Sequence, residues 1–348
     1  MGHLERDGVE QRQIPLYGSA ILVSVVIAEK ALVTQIRRLA KSNNPAVLTG
    51  IGDDCAVLRL GVGGGGADTL VTTDFSLEGI HFRREWHPPE SVGHRCLTRG
   101  LSDIAAMGGK PVAAFLSLAL PRELPSRWVT RFAQGLIRLA KKYDVTLAGG
   151  DIAESPNGVL ADIIVVGVVP GGKALLRSGA RAGDRIYVSG ELGGSAAAVG
   201  MMLKKPKGKL NPLDYPRHFF PDPRVELGRA LREKGLVSAM IDTSDGLSTD
   251  LSHICEESGV GAQLQVEVIP RASVGKPTRE VDLDLALHGG EDYELLFTAP
   301  RSKRIPSQIA GVPITQIGHI TRFRKIILMN QHGMGHKLKP GGWEHFRK

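Results

Sequence analysis

Cysteine is scarce in this chain, with 3 in 348 residues, and Cys55, Cys96 and Cys255 form no C-x-x-C pair. Neither a zinc knuckle nor a disulfide framework is indicated, and a reducing cytoplasm is the expected location. Long apolar runs are also missing. The one suspicious segment, ILVSVVIA from Ile21 to Ala28, is far short of the roughly 20 residues that span a bilayer. It does not read as a signal peptide either, because Glu5, Asp7 and Glu10 precede it and no small-x-small cleavage site comes before Glu29. Residues 1–27 read as an extension outside the fold. The chain has no G-x-x-x-x-G-K-[ST] loop and no V-A-I-K, H-R-D and D-F-G set, so both common nucleotide-handling solutions are absent. No short-period repeat is visible.

Aromatic residues make up only 5%, against 43 glycines and 20 prolines, a composition of tight turns and close backbone approaches that suits an α/β protein better than a helical bundle. With 42% hydrophobic residues the chain can bury a sizeable core, and its length suggests two domains. Collagen is excluded because glycine does not recur at every third position, and disorder because the aliphatic content is too high. The net charge of +8 favours anionic partners without choosing among them.

Apolar spacing predicts a first helix from Glu29, failing by Asn43-Asn44-Pro45. CAVLRL (55–60) and DTLVTTDF (68–75) read as strands of a hairpin. Its loop formally matches G-x-G-x-x-G at Gly61, Gly63 and Gly66, but strand-like residues follow where a dinucleotide fold needs a helix. Helices are predicted over 90–108 and along the face of Trp128, Phe132, Leu136, Leu139 and Tyr143, with strands at VAAFLSLALP, VTLAGGD and ADIIVVGVV. Near Pro170-Gly171-Gly172 the chain turns. The strand IYVSG and the helix SAAAVGMML begin a second half, which continues with helices at 223–234 and 247–258 and strands near 262–268 and 292–298. The lysine- and proline-rich stretch 204–223 reads as a solvated loop. The expected division is therefore an extension (1–27), an α/β domain (28–170) and a second α/β domain (171–348).

What stands out is a series of aspartates beside glycine, serine or threonine at the ends of apolar segments: Asp53, Asp54, Asp74, Asp103, Asp151, Asp242 and Asp245. Any one of them could cap a helix or close a turn. Together, with apolar flanks that limit solvent, they need positive counter-charge, and their motifs contain almost none. Hard divalent cations are the better candidate, because oxygen ligands suit Mg²⁺ and matched His and Cys pairs are absent. Carboxylate-held Mg²⁺ beside glycine-rich backbone is what a polyphosphate site needs. Asp53 ranks behind Asp54, since it points the other way if the segment is extended.

At these residues the chain closely resembles the thiamine-monophosphate kinase family, within the superfamily of aminoimidazole ribonucleotide synthetase and selenophosphate synthetase. GIGDDCAVL, TTDFSLEGIHF, LSDIAAMGGKP, AGGD, LRSGARAGD, IDTSDGLSTDL, GGEDYELLFT and GWEHF appear in family order from about Glu29 onward. The resemblance implies a two-domain α/β chain that dimerises through strands of its N-terminal domain, with ATP between the domains. It implies Mg²⁺ held by Asp54, Thr72, Thr73, Asp74, Asp103, Asp151, Asp242 and Asp245. Gly150, Asp151, Arg177 and Ser244 would contact ATP, and His81, Glu291 and Trp343 would hold thiamine monophosphate. Read from the residues alone, His81 could be a structural histidine, Glu291 and Asp292 could open a strand, and Trp343 could be terminal packing; Glu294 reads as structural.

The reaction so implied is transfer of the ATP γ-phosphoryl group to the acceptor's phosphate, giving thiamine diphosphate. The nucleophile is already ionised, so no general base and no catalytic side chain of that kind is expected. No nucleic-acid or membrane partner is expected. Two other readings stay open: another ATP-dependent synthetase of the superfamily, and a non-catalytic nucleotide or thiamine diphosphate sensor. Two segments depart from the family pattern, Ala28-Glu29-Lys30-Ala31 near the first helix and IAESPNG after Asp151.

Overall fold

A computed structural model describes residues 29–40, 44–60 and 66–345. The apolar segment 21–28, the rest of the extension and most of the glycine-rich hairpin loop lie outside the described residues. In chain order the first half comprises α1 (Glu29–Leu39), β1 (Val47–Thr49), β2 (Ala56–Leu58), β3 (Ala67–Leu77), α2 (Pro89–Ala106), β4 (Lys110–Leu120), α3 (Ser126–Lys142), β5 (Thr146–Glu154) and β6 (Leu160–Pro170). The strands form one sheet in the order β1-β2-β3-β6-β4-β5. All pairs in it are antiparallel except β4 with β5, and β3 runs against β6 from Ala67↔Pro170 to Leu77↔Leu160.

Alternation along these strands decides which face is covered. Leu70 and Thr72 on β3, with Ala161, Ile163 and Val165 on β6, are buried beneath α2. Thr73, Phe75, Ile164, Val166 and Phe115 point to the opposite face, which no element among the described residues covers.

The second half comprises β7 (Arg185–Ser189), α4 (Gly194–Lys204), α5 (Pro216–Phe219), α6 (Val225–Glu233), β8 (Ala239–Asp242), α7 (Leu247–Ser258), β9 (Gly261–Gln265), β10 (Ser273–Val274), β11 (Arg279–Glu280), α8 (Leu283–His288), β12 (Leu295–Ala299), β13 (Gln308–Ile309), β14 (Val312–Thr321), β15 (Ile326–Met329) and β16 (Gly335–Lys337). Its main sheet runs β16-β15-β9-β14-β7-β12-β8, with β13 on β14. One face packs on α7 and α8 through Leu247, Leu251, Ile254 and Leu287. The other face, through Tyr187, Met240, Phe297 and Ile314, joins the same core as Leu97 and Leu101 of α2, Met107 just after it, and Leu231 of α6. A single core thus runs between the two sheets, with α2 at its centre.

Helix α2 can be central because small residues let its neighbours approach. A Cβ at Gly93 would lie 2.0 Å from the Phe132 carbonyl oxygen of α3, and one at Gly135 would lie 1.9 Å from that of Glu90. Fourteen residues of α2 are fully buried, and the partly buried ones include Arg99 and Asp103, which face the site described below.

Most predicted elements are present; β1, β10, β11, α8, β13, β15 and β16 are additional to them, and three further differences have a local cause. The stretch 204–223 is not all solvated loop: the lysines are exposed, but His218 and Phe219 in α5 are buried, with Tyr215 beside them. The strand expected to reach 268 ends at Gln265 in a turn of 3-10 helix. The ten-residue strand β14 was not foreseen, because Pro313 and Gly318 break its pattern; a register shift between Gln316 and Gly318 accommodates them.

The helix crossing sets a test of packing. Gly135→Ala is expected to lose about 3 kcal/mol of stability by overpacking. Gly200→Ala, in α4 where a Cβ meets nothing within 4 Å, is expected to gain about 0.5 kcal/mol. Urea denaturation of the two variants checks both signs.

Candidate active site

Three carboxylates from both halves converge where α2 meets the two sheets. Asp54 follows the turn before β2, Asp103 lies on α2 and Asp242 ends β8, and each offers an oxygen within 4.8 Å of the others. At that separation each pair of unit charges repels by about 3 kcal/mol at an effective dielectric near 20. The protein answers only part of this. Arg177, in the connection between the halves, donates from Nη2 (2.6 Å) and Nε (3.2 Å) to Oδ1 of Asp54. Ser102 Oγ donates to Asp242 Oδ2 at 2.6 Å, and Thr72 Oγ1 donates to Asp103 Oδ2. Asp54 Oδ2 is buried with no hydrogen-bond partner among the described residues.

Burial first, and then mutual repulsion, raise the carboxyls of this group. Asp103 is pushed well above its ordinary value by burial, Asp74 and Asp242, and Asp242 is raised to about 8 by burial and Asp54. Asp74 and Asp54 are raised by burial against the lowering charges of Arg99 and Arg177 respectively. Asp245 rises to about 6 through burial and the charge of Glu29. An all-oxygen set with an orphaned carboxylate oxygen fits a hard divalent cation.

Beside this group runs the segment Gly289–Glu294, whose side chains alternate between two environments. Glu291 and Tyr293 adopt left-handed backbone, with φ of 65° and 53°, a strain of about 1–2 kcal/mol each. Glu291 turns towards α2, where Arg95 Nη2 (2.6 Å) and Arg99 Nη2 bind its two oxygens. Although burial would raise it, these guanidinium groups hold the Glu291 carboxyl far below its ordinary value. Asp292 and Glu294 turn the other way. Asp292 accepts the Gly193 and Ser195 amides at the start of α4, at 2.6 and 3.2 Å. Glu294, fully buried, accepts from Ser189 Oγ at 2.5 Å, Arg224 Nε at 2.7 Å and Arg217 Nη1 at 3.1 Å.

Arg95 is itself held by a buried histidine pair. Its Nη1 lies 3.1 Å from His218 Nδ1, and His218 Nε2 lies 2.9 Å from His87 Nε2, while His87 Nδ1 lies 3.0 Å from the Arg83 carbonyl. A guanidinium only donates, so His218 Nδ1 accepts. The His218 proton is therefore assigned to Nε2, which donates to His87 Nε2, and His87 carries its own on Nδ1, where it donates to the Arg83 carbonyl. Burial and the Arg95 charge lower His87 to about 4 and His218 well below its usual range, so both stay neutral.

The C-terminal segment closes the site from the side of α7. Gly341 N, Gly342 N and Trp343 N donate to Ser248 Oγ (3.2 Å), Thr249 Oγ1 (3.1 Å) and the Asp245 carbonyl (3.0 Å). Glycine is required at 342, where a Cβ would lie 2.0 Å from that carbonyl. The His345 ring packs edge-on against both His81 (5.5 Å) and Trp343 (5.8 Å), and its amide donates to Glu29 Oε2 at 2.8 Å. Trp343 is 52% exposed, an open apolar plate beside Asp245.

Comparison with known proteins places this geometry. Residues 52–169 match the N-terminal domain of AIR synthase related protein and residues 181–328 match the C-terminal domain. A thiamine-monophosphate kinase of Salmonella typhimurium is 37% identical over 330 residues, covering 91% of this chain and 98% of the relative. The chain belongs to the thiamine-monophosphate kinase family. The family member of Bacillus subtilis is 33% identical over 316 residues, covering 88% and 95%. A solved structure of AaThiL complexed with AMPPCP and TMP superposes with a TM-score of 0.78 at 30% identity, over 91% of this chain and 97% of that one.

The residues that the family resemblance singled out fall into three places. Asp54, Asp74, Asp103, Asp242 and Asp245 surround one space, with Thr72 and Arg177 bonded to it. His81, Glu291 and Trp343 lie on its flank, linked through Arg99 and His345. Ser244 lends its carbonyl to the Glu291 amide at 2.8 Å. Gly150 and Asp151 lie apart on the exposed edge strand β5, where Asp151 Oδ1 accepts only the neighbouring Ile152 amide.

Two expectations need correction. The Thr73 side chain points away from the carboxylates, because it alternates with Thr72 and Asp74, and it donates to Asp162 at 2.7 Å on the open face. Asp53 does not point away, because residues 51–54 form a turn rather than a strand; its carboxylate accepts the Arg177 amide at 3.2 Å, and it rises to about 7 through burial and Asp54.

Sequence reading missed Arg95, Arg99, His87, His218, His345 and Glu29. The spacing of Arg95, Arg99 and Asp103 by four on one predicted helix was the available signal, since i and i+4 share a face.

The raised carboxyls fix a pH dependence. A carboxyl whose folded pKa lies above its unfolded value of about 3.9 binds more protons in the fold, so stability falls as pH rises through that window. With Asp245 near 6 and Asp242 near 8, the metal-free protein is expected to lose roughly 5 °C in Tm between pH 5 and 8.5. Millimolar Mg²⁺ is expected to restore it at pH 8.5 and do little at pH 5, because protons compete for the ligands. Asp242→Asn is expected to flatten the profile in a thermal melt.

Proposed function

We propose that this chain transfers the γ-phosphoryl group of ATP to the phosphate of thiamine monophosphate, giving thiamine diphosphate and ADP. Near full-length similarity to thiamine-monophosphate kinases supports the reaction. The observation in the molecule that carries it is the convergence of Asp54, Asp103 and Asp242 with an unsatisfied carboxylate oxygen.

These three, with Asp74 and Asp245, are the residues to hold Mg²⁺, with Thr72 beside them; the Thr73 and Asp151 side chains stand away from this group and are left out of it. When bound, such ions supply positive charge against both carboxylates and phosphates. The chain's own groups do the rest. Arg177 presents a fixed cationic fork to the nucleotide from the connection between the halves, with Ser244 as a further ATP contact; Gly150 and Asp151, apart on β5, are not placed on this nucleotide. His81, lowered to about 3 by burial and the charge of Arg99, stays neutral and offers hydrogen bonds without adding charge. Trp343 provides the plate for a heteroaromatic ring, and Glu291 a fixed negative charge for a cationic one.

In the transfer, the bond between the γ-phosphorus and its bridging oxygen breaks, and ADP leaves with that electron pair. A phosphate oxygen of the acceptor forms the new bond. That oxygen is already ionised, so position and charge neutralisation suffice and no side chain need take a proton. We read 28–170 as the part supplying most metal ligands and 171–348 as the part completing the nucleotide and substrate sites.

The assay is incubation of the purified chain with ATP, Mg²⁺ and thiamine monophosphate, following both products by chromatography. Equal amounts of thiamine diphosphate and ADP, abolished by EDTA, are expected; ADP without thiamine diphosphate sinks the reading. Asp103→Asn is expected to lower kcat by about 10³-fold while raising the Tm of the metal-free protein, because Asn, unlike Asp103, needs no proton to lie beside Asp74 and Asp242.

The uncovered face of the first sheet is read as the contact with a second copy. Phe75, 54% exposed, stands beside Ile164, Val166 and Phe115 on a surface with few charges. Val166→Glu is expected to convert a dimer to a monomer in sedimentation velocity, with an unchanged circular dichroism spectrum; a monomeric wild-type chain would refute this contact.

A further inference from the structure

Arg99 occupies the middle of the α2 face that runs from Arg95 to Asp103, and its charge reaches both parts of the site. It pairs with Glu291, and its charge acts on Asp74, Tyr293, His81 and Asp245. It therefore lies between the carboxylates read as metal ligands and the residues read as holding the acceptor's ring.

Its bonding is incomplete for so enclosed a cation. Arg99 is 13% exposed, yet among the described residues only its Nη2 donates a hydrogen bond, to Glu291 Oε1. A guanidinium has five N–H donors in a planar fork that matches phosphate. Glu291 does not need it for charge balance, since Arg95 already binds the other oxygen at 2.6 Å. Beside it, the Tyr293 side chain is 1% exposed, and its buried hydroxyl has no hydrogen-bond partner among the described residues. Left-handed backbone at residue 293, φ 53°, keeps the phenol on the same side as Glu291 rather than with Asp292 and Glu294.

We propose that Arg99 and the Tyr293 hydroxyl form the subsite that recognises the acceptor's own phosphate, Arg99 being a catalytic residue that neutralises this phosphate as the second polyanion approaches. The subsite rests on the reaction proposed above. Uncombined donors on Arg99 and an uncombined hydroxyl on Tyr293 supply a planar cationic fork and a neutral donor. Glu291, held by Arg95, fixes the fork without neutralising it fully. Discrimination for a phosphorylated acceptor over its alcohol thereby resides in protein groups as well as in metal.

The test compares binding of thiamine monophosphate and thiamine to the full chain by calorimetry, with EDTA and again with Mg²⁺, alongside ATP and ADP. Arg99→Met is expected to collapse the preference for the phosphorylated ligand by about 30-fold or more, with thiamine itself bound within about twofold of wild type. Tyr293→Phe is expected to reduce the preference about fivefold, and Arg99→Lys to recover part of it. The ratio of ATP to ADP affinity is expected to stay unchanged.

Equal losses for thiamine and its phosphate would overturn the subsite, since that is what a purely structural Arg99 acting through Glu291 would give. A loss confined to ATP over ADP would overturn it in favour of the nucleotide's terminal phosphate. Should Arg99→Met fail to fold, the ratios for Arg99→Lys and Tyr293→Phe decide. Wild-type turnover, measured separately, tests the reaction: a wild-type chain that forms no thiamine diphosphate but shows these ratios keeps the subsite and loses the reaction.

Discussion

Repulsion between buried carboxylates is the constraint around which this molecule is arranged. Asp54, Asp103 and Asp242 come from a turn, a helix and a strand that are distant in sequence, and each is held by a different neutral or cationic donor. A fold selected for stability alone would not gather three anions with one guanidinium and leave an oxygen unsatisfied. The surrounding core makes the arrangement tolerable. Its continuous apolar packing from β3 through α2 to β12 supplies the free energy that the carboxylates withdraw.

Helix α2 converts that core into a site. Its apolar side packs against sheet, helix and second half alike, so its rotation is fixed, and one remaining face carries Arg95, Arg99 and Asp103. The two arginines that hold Glu291 and the carboxylate of Asp103 are thereby placed on one rigid rod. The neutral pair His87 and His218 extends the rod sideways, pinning Arg95 by hydrogen bonds whose direction a guanidinium dictates. Glu294 anchors the opposite side of the segment Gly289–Glu294 with its own arginines, so the strained backbone between them has little freedom to relax.

Much of this was legible in the sequence because it is carried by local patterns. The aspartates announce themselves by apolar flanks, and the hairpin of β2 and β3 by its glycines and alternation. Thr73 and Asp53 were misjudged for related reasons: a strand's alternation was not applied to the first, and was applied to the second where the chain turns. His218 was hidden in a stretch whose lysines suggested solvent, since composition averages over a segment and cannot single out one buried residue within it. Arg95 and Arg99 belong to no motif; only their register with Asp103 marks them. Gly341-Gly342 reads as a loop until the Asp245 carbonyl is seen lying against it.

Because α2 is enclosed by elements from both halves of the chain, the two halves are units of sequence rather than of unfolding. Fraying of a terminus, or opening of the edge strand β5, leaves α2 covered. Separating the halves would uncover the apolar surface around Leu101, Ala105 and Met107 at once. Amide hydrogens in the middle of α2 therefore exchange with solvent only when the whole molecule opens, so the helix that carries the site's charges is also the last to lose its shape.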